Sequence, residues 1–172
     1  MTGILESYLI KIRAKSIAAL MLLLVVSACT GGALSPGLTA RMDQGGANLD
    51  RMEAINLINQ YRATRGSPPL TIDPALNAIA QSLASEYATT SSRPSKPGND
   101  ILQMQLSAGY SNFAETFSGW RGRSGDATAI SDPDATRAGI GVAYSPNSIF
   151  GVYWVLLLAG PETAATAEIS NQ

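Results

Sequence analysis

The sequence predicts an α/β domain, a three-layer α-β-α sandwich built on a small antiparallel sheet. Two segments with apolar residues at helical spacing come first, each opened by an aspartate that can cap it. β-type runs joined by a hairpin connection come last. The final run, Val152–Leu158, is apolar on both faces, so helices must cover both sides of the sheet.

The chain opens on an address rather than on structure. Met1–Lys15 carries Lys11, Arg13 and Lys15, and Ser16–Ala28 is almost wholly apolar, with a Leu22–Leu23–Leu24 run. A basic segment, an apolar stretch of about 7–15 residues and small residues at its end make a secretory signal. A bilayer-spanning helix takes about 20 apolar residues, more than this run supplies. The end of the run, Val26–Ser27–Ala28–Cys29, resembles a lipobox, in which a diacylglyceryl group alkylates the thiol and the chain is cut before it. Cys29 is the only cysteine, and lipidation accounts for an odd thiol in an exported chain. The organisation expected is 1–28 as lipoprotein signal peptide, 29–47 as flexible tether, 48–160 as the domain and 161–172 as a disordered tail. The expected location is the bacterial cell envelope, on a membrane through lipidated Cys29. Thr30 replaces the aspartate associated with inner-membrane retention, which favours the outer membrane where the cell has one. Ordinary secretion as a soluble protein is the alternative.

Thr30–Ala47 is rich in Gly, Ser, Ala and Pro without periodicity, hence its reading as a tether. Asn48 or Asp50 then caps a helix over Asp50–Thr64, with Met52, Ile55, Leu57, Ile58 and Tyr61 on its apolar face and Gly66 ending it. Leu70–Ile72 precedes Asp73–Pro74, a cap followed by proline at the first helical position. Leu76, Ile79, Ala80, Leu83 and Tyr87 carry that second helix through Ala88. Thr89–Asn99 reads as loop, and Asp100–Ala108 as a short helix closed by Gly109. Asn112–Ser118 alternates Phe113, Glu115 and Phe117 with small or polar residues, the pattern of a strand. Gly119–Asp134 is polar and turn-like. Ala138–Tyr144 and Gly151–Ala159 are strands, and Ser145–Phe150 connects them.

Composition excludes several function classes. The chain has 12 basic and 13 acidic residues, and removing Lys11, Arg13, Lys15 and Glu6 with the signal leaves a mildly acidic domain. With no basic cluster, nucleic acid is not its expected ligand. There is no histidine, which removes Ser–His and Cys–His nucleophile pairs and every imidazole-ligated zinc site. No P-loop or glycine-rich dinucleotide motif is present. None of the numerous serines has a recognisable activating base. Arg62, Arg65 and Arg137 read most simply as solvated partners of nearby carboxylates, and the aromatic residues as core or rim.

Ile55–Asn56–Leu57–Ile58–Asn59–Gln60–Tyr61–Arg62, Pro69–Leu70, Asp73–Pro74–Ala75–Leu76, Ala108–Gly109–Tyr110, Ala114–Glu115, Asp132–Pro133, Gly139–Ile140–Gly141–Val142–Ala143 and Tyr153–Trp154 follow one another in an order and spacing that resembles the CAP superfamily. Its members are the cysteine-rich secretory, antigen 5 and pathogenesis-related 1 proteins and bacterial SCP-like domains. The resemblance implies an α-β-α sandwich. It also implies a central cleft in which two histidines and two glutamates commonly bind a divalent metal. Glu115 matches one glutamate, Lys96 and Asp126 stand near the places of the two histidines, and the second glutamate has no counterpart. Trp120 stands as a remnant of the family's amphipathic helix, for which the chain between Glu115 and Asp126 is too short. One carboxylate opposite an ammonium is a poor site for a transition metal, so no metal and no cofactor are expected.

Glu115, Lys96, Asp126 and Trp120 are therefore the cleft candidates, and a Glu115–Lys96 ion pair is expected to replace the metal. The expected function is a non-catalytic envelope module that binds an envelope protein, glycan or lipid. A carrier of a small hydrophobic ligand is one alternative, with a groove along Phe113, Phe117, Trp120 and Phe150. A weak hydrolase using Glu115 with Lys96 is the other, and it needs those two groups within hydrogen-bond reach.

Overall fold

A computed structural model describes residues 34–162. The signal segment, Cys29 and residues 163–172 of the expected tail lie outside the described residues. The elements run α1 (Pro36–Thr39), α2 (Arg51–Thr64), β1 (Thr71–Ile72), α3 (Pro74–Thr90), β2 (Ile101–Ala108), α4 (Phe113–Gly122), α5 (Ser124–Ile130), β3 (Arg137–Tyr144) and β4 (Val152–Ala159).

Four strands form one sheet in the order β1-β3-β4-β2, with β1 parallel to β3 and the other pairs antiparallel. All eight residues of the central strand β4 are buried, and they alternate between the two faces. Val152, Trp154, Leu156 and Leu158 enter a core with Ile55 and Ile58 of α2, Phe113, Phe117 and Trp120 of α4, and Ile130 of α5. Val155, Leu157 and Ala159 meet Leu76, Ala80 and Ala84 of α3 on the other side. A strand apolar on both faces has to be sandwiched in this way, since each such side chain gains about 1.5–3 kcal/mol on leaving water. α3 lies close against β3 because Gly139 and Gly141 have no side chain. A Cβ at Gly139 would sit 2.2 Å from the Leu76 carbonyl carbon, and one at Gly141 would sit 2.4 Å from that of Ala80.

The caps form as the sequence predicts. Asp50 accepts a hydrogen bond from the Glu53 N–H at 2.9 Å, and Asp73 accepts from Ala75 and Leu76 at 2.8 and 3.1 Å. Gly66 ends the first of these helices in a left-handed conformation, φ +75.

Four expectations are corrected. Ile101–Ala108 is a strand, paired with β4 over most of its length, not a short helix. Its apolar Met104 and Leu106 alternate with Gln103, Gln105 and Ser107, and so brief a run fits either period until the neighbouring strand supplies hydrogen bonds. Phe113–Gly122 is a helix, not a strand. The residues it buries are Phe113, Thr116, Phe117 and Trp120, spaced three and four apart, and Asn112 accepts from the Glu115 N–H at 2.9 Å to start it. α5 adds a further helix within the stretch read as turn. The tether reading fails over its second half: α1 is helical, and Leu38, Met42 and Leu49 are buried in the larger core. The Met42 N–H donates to the Ser111 carbonyl at 2.8 Å. A few apolar residues in a Gly/Ala/Ser-rich stretch carry no period, yet each fills a place at the end of the sandwich.

Candidate functional site

β2 is an edge strand, and a cleft of about 610 Å³ opens beside its C-terminal half. Strand alternation turns Gln105 and Ser107 to the same side. They are only 6% and 7% exposed overall, and among the described residues neither side chain has a hydrogen-bond partner within the protein, but their polar atoms are not shut off from solvent and stay available at the cleft. Tyr87 of α3, Tyr110 after β2 and Phe150 of the β3–β4 connection border the cleft as aromatic surfaces. Arg93 enters from the loop after α3, and Arg123 and Asp126 enter from the α4–α5 junction. Arg123 Nε and Asp126 Oδ2 lie 2.5 Å apart, in a pair that remains partly solvent-exposed.

Of the four cleft candidates, Asp126 alone lines this opening, and its carboxylate is held by Arg123. Glu115 sits exposed in the first turn of α4, where the helix dipole favours an acidic side chain. Its charge reaches Arg41, whose pKa is raised chiefly by the hydrogen bond it donates to Asp43 and in smaller part by Glu115. Lys96 is exposed, and its Nζ donates to the Ile101 carbonyl at 2.8 Å. The expected Glu115–Lys96 pair does not form, because the helix that replaced the expected strand turns Glu115 elsewhere. The hydrolase pairing fails with it. Trp120 is a core residue rather than a cleft residue: it is fully buried, and its Nε1 donates to the Leu106 carbonyl at 3.2 Å, covering part of the free edge of β2. The apolar groove expected along Phe113, Phe117 and Trp120 is filled by those rings themselves, with Phe113 stacked on Phe117 at 5.8 Å. Phe150 is the one member of that set that borders open space.

Arg62 is corrected as well. It is fully buried rather than solvated, donating to the carbonyls of Pro68, Ile130, Asp132 and Ala135 at 2.6 to 3.1 Å. Burial pushes its pKa down, and the Asp132 charge partly restores it. Arg137 does have a carboxylate partner, Asp73 at 2.6 Å.

The helix reading of 101–108 hid Gln105 and Ser107. Their alternation with Met104 and Leu106 was the signal that could have found them. Arg93 and Arg123 carry no local signature, since nothing in the sequence brings either loop to the edge of β2.

The family model described as the cysteine-rich secretory protein family, CAP, matches residues 55–158. The chain belongs to the CAP family. The solved structure of MpPR-1i is similar over 65% of this chain and 91% of its own, at 21% identity and a TM-score of 0.54. An outer surface protein of Borrelia burgdorferi is similar over 64% of this chain and 92% of its own, at 14% identity and a TM-score of 0.55. An extracellular SCP-domain protein of Bacillus anthracis is similar over 75% of this chain but 45% of its own, at 16% identity and a TM-score of 0.53. At these identities the structural likeness shows the fold. No curated protein sequence matches the chain.

The residues of this CAP domain do not fit the divalent metal that its family resemblance implies. Among the described residues no group of three or more His, Cys, Asp or Glu side chains comes together as a ligand set. The one carboxylate lining the cleft is bound to an arginine, and a second arginine lines the same cleft, so the field there disfavours a cation. No helix among the described residues is long and apolar enough to cross a membrane.

Proposed function

We propose that this CAP-family chain is a bacterial envelope lipoprotein, exported by residues 1–28 and held on a membrane through lipidated Cys29. Its domain works by binding rather than catalysis, and the occupant of its cleft is an envelope glycan. The observation that carries this reading is the pair of polar side chains Gln105 and Ser107 on the cleft floor, which have no hydrogen-bond partner among the described residues. An amide and a hydroxyl that make no bond within the protein can exchange water for a ligand's hydrogen bonds at little cost. A sugar ring supplies them, while its C–H face suits the bordering tyrosine and phenylalanine rings. The two arginines add donors for sugar oxygens. Catalysis finds no support: without histidine, and with Asp126 engaged by Arg123, Ser107 has no base to activate it.

Titration of the isotope-labelled protein with an N-acetylated amino-sugar disaccharide, followed by NMR, tests the binding. Shifts should concentrate at Gln105, Ser107 and Tyr110, and Gln105→Leu should weaken the affinity about tenfold, the equivalent of one good hydrogen bond. Shifts scattered away from the cleft, or an unchanged affinity in a folded Gln105→Leu protein, would point to an envelope protein or lipid as the occupant. Cys29→Ser should abolish lipid labelling. Membrane retention and processing unaffected by that change would defeat the anchor.

A further inference from the structure

We infer that the domain docks onto the bilayer that holds it, through the tip of the β3–β4 hairpin. This rests on the reading of Cys29 as the anchor. The connection Ser145–Gly151 presents Ile149 at 80% exposure and Phe150 at 51%, with Tyr144 at 47% and Tyr110 at 37%. Single exposed apolar residues are ordinary on a protein surface, but these gather at one end of the sheet. A Cβ on Gly109, next to Tyr110, would meet the Phe150 ring at 4.0 Å, and one on Gly151 would meet Tyr144 at 3.7 Å. The tip is also stiff. Ser148 Oγ donates to the Ser145 carbonyl at 2.7 Å and accepts from the Gly151 N–H at 3.2 Å, while the Phe150 N–H donates to the Tyr153 hydroxyl at 3.3 Å. An apolar tip flanked by tyrosines has the make-up of side chains that settle at a membrane–water interface.

The length of chain before the domain identifies the occupant. α1 begins at Pro36 with Leu38 already in the core, so only six steps separate Cys29 from Ser35. At full extension, at most about 3.6 Å per residue, they reach about 22 Å. A domain of this size has a radius of gyration of about 14 Å. The face from which the chain leaves therefore cannot be carried far from its anchor. That exit and the hairpin tip share one end of the fold. The segment after α1 is bonded to Ser111, beside Tyr110, and the Tyr110 carbonyl accepts from Trp154 near the start of β4. The Ser35 hydroxyl donates to Glu53 in the first turn of α2, and from the same turn Arg51 Nε donates to the Ile140 carbonyl at 3.0 Å, at the middle of β3.

The experiment places Phe150→Trp in the full lipidated protein, reconstituted in phosphatidylcholine–phosphatidylglycerol vesicles with brominated acyl chains. Arg65→Trp, exposed just beyond the far end of α2, serves as the reference, and the wild type gives the background of buried Trp120 and Trp154. Insertion of about 5–10 Å into the headgroup–acyl boundary would bring the new indole beside the bromines and cut its emission about twofold. Arg65→Trp should not respond, and adding Ile149→Asp should relieve the quenching at position 150. If palmitate labelling shows Cys29 unmodified, the anchor reading has failed. The chain is then coupled through its Cys29 thiol to a maleimide-bearing lipid, so that docking is still measured. Equal emission of Phe150→Trp in brominated and plain vesicles would overturn docking. So would an emission change that follows protein concentration instead of bromine, which would assign the tip to a second copy of the chain.

Discussion

Arg62 ties the end of α2 to two distant segments. Its guanidinium satisfies four carbonyls from residues 68, 130, 132 and 135, and arginine's fixed fork of five donors suits that task. Arg62→Met would keep the apolar stem but orphan those acceptors, each costing about 1–3 kcal/mol when buried. The expected loss in urea unfolding is about 3 kcal/mol or more, and Arg62→Lys should recover only part of it, since one ammonium cannot reach all four. A loss below about 0.5 kcal/mol, the range of an ordinary surface change, would mean that water reaches those carbonyls. Arginine at a helix C-terminus ordinarily signals solvation. Only the return of residues 130–135 over α2 encloses this one.

At the scale of elements, the most consequential revision concerns residues 34–49. Leu38 is buried against the larger core, so α1 is part of the domain and not of a tether. Leu38→Ala should lower stability by about 2 kcal/mol, the lower end for emptying a buried leucine site because a chain terminus can relax around the gap. Denaturant midpoints of the two proteins check this, and equal midpoints would restore the tether reading. The exchange of helix and strand between 101–108 and 113–122 has one physical cause. Residues two and four apart share a face in a strand, and residues three and four apart share one in a helix, so Phe113, Phe117 and their neighbours fit both patterns. The edge hydrogen bonds offered by β4 decide the first segment. The place of Trp120 in the core decides the second.

For the whole molecule, the stability is that of two apolar layers on one sheet, with no contribution expected from a metal. A cation bound only by the folded state would raise stability by about 2.7 kcal/mol at a hundredfold excess over its Kd. Neither zinc nor a chelator is expected to move the thermal melting transition. A zinc-dependent rise abolished by Asp126→Asn would show that the cleft holds a cation in spite of its arginines.

The sequence by itself determined the sandwich, the two capped helices and the final hairpin. Long periodic runs, aspartate caps and a strand apolar on both faces are local signals that little else can satisfy. It also excluded histidine chemistry outright. The composition of the cleft belonged to the tertiary structure. Asp126 was found there, but Gln105 and Ser107 depend on a strand period that only β4 confirms, and Arg93 and Arg123 arrive from the loop before β2 and the α4–α5 junction, where no periodicity tells which way a side chain points. Glu115 and Lys96 were chosen from a family pattern and then separated by the fold, because the start of a helix points its acidic residue toward solvent and the dipole rather than across a cleft.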